Sequence, residues 1–201
     1  MAKKPPNSDD VIKAYNLCSK DIKDYYCELL SLLQNDSISD ETAISYCFFK
    51  LEQASHRILY GGLVGVHHAE KTLAMQAVDE QHLTRQGFID FCIKIFNDED
   101  TKSNNINDSI LSIIKSAEKV RDRVMHGKNI KPAEIRKEIT VVLMYSTKLN
   151  DEIKRIAGFT PFGSMKGFKG RSKSLNEKTT KWLLKGLGFT NTKTVKNSLS
   201  I

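Results

Sequence analysis

From residue 8 to residue 157 the apolar side chains recur three and four positions apart, and no stretch alternates them. A spacing of 3.6 buries one stripe of a helix, whereas a strand needs a period of two. The first run is Val11, Ile12, Tyr15, Cys18, Ile22, Tyr25, Tyr26, Leu29, Leu30 and Leu33. It predicts one long helix from an N-cap at Ser8, with Asp9 and Asp10 in the first turn, to a turn at Asn35–Ser37. Ser39 or Asp40 caps a second helix with Ile44, Cys47, Phe48, Leu51, Ala54, Ile58 and Leu59 inward, running to Gly61.

The segment Gly61-Gly62-Leu63-Val64-Gly65-Val66-His67-His68 reads as a hinge. It matches no phosphate-loop fingerprint and follows no strand. Ala69 to Gln81 is a short helix or ordered loop. Thr84 caps a helix through Phe96, and residues 97–105 form a polar loop. Asn107 or Asp108 caps a helix with Ile110, Ile113, Ile114, Ala117, Val120 and Val124 inward. Pro132, at a first helical position, opens the last long helix, through Ile156. About five helical segments with short connections make an all-α bundle. Residues 1–7 read as a disordered leader, 8–157 as the bundle and 158–201 as a basic, partly irregular extension.

One stretch carries more than packing asks for: Lys119-Val120-Arg121-Asp122-Arg123-Val124-Met125-His126-Gly127-Lys128. Arg121 and His126 are five apart, about 140° round a helix and about 7.5 Å along it. They converge only if the arginine uses its long stem and the helix ends near His126. Gly127 suits the left-handed residue that closes a helix. Arg121 sits at the edge of the apolar stripe, between core and solvent. A helix C-terminus alone also favours an arginine, a histidine and a following glycine, through the macrodipole and the cap.

Arg121 through His126, with a polar residue directly after the arginine, resembles the motif of the HEPN superfamily. Those proteins are small helical bundles, many of them metal-independent ribonucleases of toxin–antitoxin, defence and RNA-processing systems. The resemblance covers roughly residues 8–157. It implies RNA cleavage by attack of the 2′-hydroxyl on its own phosphodiester. A histidine moves protons near neutral pH, and a guanidinium holds the charged phosphate. His126 takes the proton-transfer role, Arg121 the phosphate clamp and Asp122 the orienting carboxylate. Arg123 and Lys128 are auxiliary substrate contacts. The resemblance also implies a homodimer with both motifs in one cleft, although no heptad seam in the sequence specifies one. Some relatives carry a modifiable tyrosine two residues after the histidine; here that position is Lys128, which argues against that control.

Of the 44 residues from Gly158 onward, nine are basic and one, Glu177, is acidic, so the net charge of +7 resides in the extension. Lys166, Lys169, Arg171 and Lys173 are candidate contacts to the phosphates of tRNA or single-stranded RNA. Phe159, Phe162, Phe168 and Trp182 are interleaved with the lysines. They either stack on bases or pin the extension to the bundle. A short basic helix is expected over 175–187, capped by Ser174 and ended by Gly188. Its apolar face is too small for firm membrane attachment.

Cys18, Cys27, Cys47 and Cys92 form no C-x-x-C pair and lie in apolar helical stretches, so buried thiols in a reducing, cytoplasmic setting are expected. No apolar run nears 18 residues. His56, His67, His68 and His82 include no i, i+4 pair, and neither a metal nor another cofactor is expected. Two other readings remain open. One is a non-catalytic nucleic-acid-binding or scaffold module with the extension as its arm. The other is an antitoxin or regulatory subunit that needs a partner protein to be active; for the ribonuclease reading, an antitoxin or regulatory protein is the possible partner.

Overall fold

A computed structural model describes residues 8–35, 39–81, 83–96, 110, 112–169 and 173–189. The leader 1–7, the loop 97–105, the cap at Asn107 or Asp108, His82 and Arg171 lie outside the described residues. Every regular element among the described residues is helical: α1 (Ser8–Leu17), α2 (Lys20–Tyr25), α3 (Leu29–Gln34), α4 (Asp40–Gly65), α5 (Lys71–Asp79), α6 (Arg85–Phe96), α7 (Lys115–Met125), α8 (Pro132–Ala157) and α9 (Glu177–Leu187). The all-helical bundle is as expected, with nine helices among the described residues where about five were expected.

The extra helices arise mainly where the first run breaks. Ser19 caps α2 by accepting a bond from the Ile22 amide at 3.4 Å, and Tyr26 leaves helical geometry at its end. Serine competes with helix continuation by bonding nearby backbone, so the break has a local cause. Tertiary contacts hold it. The buried Tyr26 hydroxyl lies 2.8 Å from Ser146 Oγ on α8. Ser146 Oγ itself donates to the Val142 carbonyl, so the tyrosine donates to the serine. The break turns Cys27 into solvent and leaves Cys18 half-buried, whereas Cys47 and Cys92 are in the core. The expectation of four buried thiols therefore fails at the two beside the kinks.

The two longest helices, α4 and α8, pack against each other as the central pair. α1, α2 and α7 lie against α8, and α3, α5, α6 and α7 against α4. Arg136 Nε and Asp40 Oδ1 form a mostly buried ion pair at 2.9 Å, and Arg136 also donates to the Leu33 carbonyl. These contacts lock the start of α4 to α3 and α8.

The expected hinge at Gly61 is helix instead. α4 continues to Gly65 because the glycines are where other elements come close. A Cβ on Gly61 would overlap the Phe159 ring, and one on Gly62 would meet the Ile95 side chain and, at 2.7 Å, the Phe96 ring. Turning begins after Gly65, where His67 Nε2 lies 2.9 Å from the Ile95 carbonyl oxygen. Glu70 then caps α5, its carboxylate accepting from the Thr72 and Leu73 amides at 3.0 and 2.8 Å. Those bonds hold its carboxyl below the usual value.

Residues 158–169 and 173–189 share the bundle's hydrophobic cluster. Phe159, Phe162, Leu184 and Phe189 are all at most 2% exposed. Phe162 packs against Tyr25 and Tyr26, and Phe189 stacks on Phe91 with ring centres 4.2 Å apart. The cap of α9 is Asn176, which accepts from the Thr179 amide at 2.9 Å, rather than Ser174. Gly188 ends the helix with φ +96°. No helix among the described residues is long and apolar enough to cross a membrane.

Candidate functional site

The motif helix α7 is amphipathic because Ala117 and Val120 face the core, with Val124 packed against it, while most of the other positions are charged. Its end follows the cap chemistry of the sequence. His126 is the last cap residue, Gly127 has φ +67°, the Gly127 amide donates to the Val124 carbonyl at 2.9 Å, and the Lys128 amide reaches back to Arg123 at 3.0 Å. That pair of bonds is the Schellman motif, which satisfies carbonyls the helix leaves open.

Arg121 lies on the wall of a groove of about 650 Å³ between α4, α6 and α7. Its guanidinium carbon is 5.0 Å from the centre of the Phe48 ring, so the ring supports the flat cation from α4. Asp122 Oδ1 is 3.3 Å from Arg121 Nε. The buried Nε hydrogen nonetheless makes no hydrogen bond, so the carboxylate acts on the guanidinium by charge, off the N–H axis. The Arg121 side chain remains 38% exposed.

Two residues absent from the sequence-based site share this groove. Arg85, at the start of α6, and Glu118, one turn before Asp122 on α7, form an ion pair at 2.8 Å. Burial raises the Glu118 carboxyl above its ordinary value; Arg85 and Arg121 oppose the rise and Asp122 adds to it. Arg85 lies 36 residues from Arg121, and only the packing of both α6 and α7 against α4 makes them neighbours. The arrangement is two cations among Glu52, Glu118 and Asp122, with Phe48 and Phe49 at one side. It can grip one anionic group with forked donors, but it is not a strongly positive field.

The other expected site residues lie elsewhere. His126 is exposed, is not among the groove's lining residues, and its ring makes no hydrogen bond or ion pair among the described residues. Arg123 is tied to Glu134 on α8 at 2.7 Å. Lys128 is exposed after the helix end. Lys166, Lys169 and Lys173 are exposed on the 158–189 segment. Their neighbours Met165 and Phe168 line a separate groove of about 690 Å³ with Arg57 and Tyr60. The structure thus brings Arg121 and Asp122 together, with Phe48, Arg85 and Glu118, and leaves His126 outside within a single chain. The signal that could have found Glu118 is its i, i+3 relation to Arg121, which puts the two on one helix face.

No group of three His, Cys, Asp or Glu side chains among the described residues is arranged to hold a metal ion. Of the aromatics in 158–189, Phe159 and Phe162 are core, Phe168 packs between Tyr60 and Phe159, and Trp182 is 70% exposed. Comparison of the chain with protein-family models, with curated proteins and with solved structures finds no match.

Proposed function

We propose that this chain is a HEPN-like, metal-independent endoribonuclease that cleaves tRNA or single-stranded RNA by 2′-hydroxyl attack, acting as a homodimer in a toxin or phage-defence role. The observation that carries the reading is the Arg121 guanidinium, held over Phe48 on a groove wall, one turn before a capped helix end that leaves His126 at the surface. Arg121 supplies the fixed cation for the phosphorane, and His126 the proton-transferring imidazole. Asp122 biases the guanidinium. His126 stands outside its own chain's groove, which supports a site built from two copies, with two motifs sharing one cleft as the resemblance implies.

The test is incubation of wild type, Arg121→Ala and His126→Ala with a mixed tRNA and single-stranded RNA pool in EDTA, followed by analysis of the product ends. Wild type should leave 2′,3′-cyclic phosphate termini, and each variant should be slower by at least ~10²-fold. Full cleavage by His126→Ala would sink the assignment.

The exposed imidazole and a groove in which three carboxylates face two arginines favour a second reading, a non-catalytic nucleic-acid-binding module. Salt-sensitive RNA binding without cleavage, unchanged in His126→Ala, is its signature.

A further inference from the structure

Helix α9 divides cleanly by side-chain type. Thr180 and Leu184 are fully buried, and Leu183 and Leu187 pack on the core. On the opposite side, Lys181, Lys185 and Lys178 fall within about 60° of one another round the helix, and Trp182 lies about 40° further on. Trp182 is 70% exposed. The Lys178 ammonium sits 5.5 Å from the centre of its ring. One turn beyond, Gly186 carries no side chain, and a Cβ there would meet nothing within 4 Å. The indole therefore has a cation on one side and open space toward the other.

The helix is a fixed platform. The Thr180 hydroxyl accepts from the Glu70 amide at 3.1 Å, Lys94 Nζ donates to the Leu187 carbonyl at 3.2 Å, and the Leu175 amide donates to His68. A single exposed aromatic is common on a protein surface, so what marks this face is the clustering of the indole with three lysines. A membrane is the poorer occupant, because the leucines that would enter it already face the core and Trp182 would insert alone. A flat aromatic beside three lysines matches a chain that alternates stacking bases and phosphates.

We propose that the Lys178–Trp182–Lys185 face of α9 is a binding site for single-stranded nucleic acid, one base stacking on Trp182 while the lysines contact the flanking phosphates. Taking RNA as the physiological strand rests on the ribonuclease reading. The face is distinct from the Arg121 groove and serves as a holding surface for strand outside the cleavage site.

Trp182 is the sole tryptophan, so its emission reports on this helix alone. The experiment titrates wild type and His126→Ala with a short oligouridine, with a duplex RNA of equal length, and with phosphatidylglycerol vesicles, while following that emission. In parallel, fluorescence anisotropy of labelled oligouridine measures binding by Trp182→Ala, Trp182→Phe and the Lys178→Ala/Lys185→Ala pair. The single strand should quench the emission in both proteins. Trp182→Ala should weaken binding roughly 5- to 100-fold with Trp182→Phe largely restoring it, and the lysine pair should reduce the salt slope by about 1.4. Circular dichroism melts should leave the exposed variants folded. Unchanged affinity in folded Trp182→Ala, equal quenching by the duplex, or a blue shift with vesicles and none with oligouridine overturns the site. Quenching by a wild type that cleaves nothing removes the ribonuclease reading and keeps this one; cleavage without quenching does the reverse.

Discussion

Glu118 shows at the residue scale how position alters chemistry. Its carboxyl is raised by burial, so the folded protein holds that proton to higher pH than the unfolded chain does. The associated stability is complete below the ordinary glutamate value, about 4.3, and is lost as pH rises through the raised folded value. Glu118→Gln cannot ionise and should flatten the pH dependence of stability across that window, read as melting temperature against pH. An unchanged profile would mean that the two arginines offset the burial. Arg121 is legible from its sequence position as an edge residue, but its ring support at Phe48 and its neighbour Arg85 are not. Both belong to other helices.

Among the elements, two glycines within helices have opposite reasons for being there. Gly61 in α4 is where the Phe159 ring closes on the backbone, whereas Gly186 in α9 faces open space. Gly61→Ala should destabilise by about 1–3 kcal/mol through overpacking. Gly186→Ala should stabilise by about 0.5–1 kcal/mol, because alanine loses less backbone entropy in a helix. Thermal melts of the two variants should move in opposite directions; a Gly61→Ala protein as stable as wild type would mean that the ring moves aside freely. Helix ends were the readable part of the elements. Ser39, Gly127, Pro132 and Gly188 stand where their local chemistry predicts. The kinks at Ser19 and Tyr26 were not readable, since the apolar spacing runs through them without a gap.

For the whole molecule, the segment after Gly158 completes the core. Phe159, Phe162, Leu184 and Phe189 are buried with the bundle's own side chains. Each large side chain lost from a core costs about 2–5 kcal/mol, against a total stability of about 5–15 kcal/mol for an ordinary domain. A chain ending at residue 157 should therefore lose its cooperative thermal transition and bind hydrophobic dye. A sharp transition near the wild-type temperature would show that the bundle closes without the segment. By the same logic, truncation is a poor test of nucleic-acid binding, and point changes on α9 are the better one. What the sequence alone determined was the helical class, the amphipathic faces, most caps and the charge asymmetry, because those depend on neighbours within one or two turns. Which aromatics are core and which one faces water, and that Phe48 and Arg85 flank Arg121, were decided only by tertiary packing. Those relations join residues tens of positions apart, and no local periodicity encodes the angle at which one helix meets another.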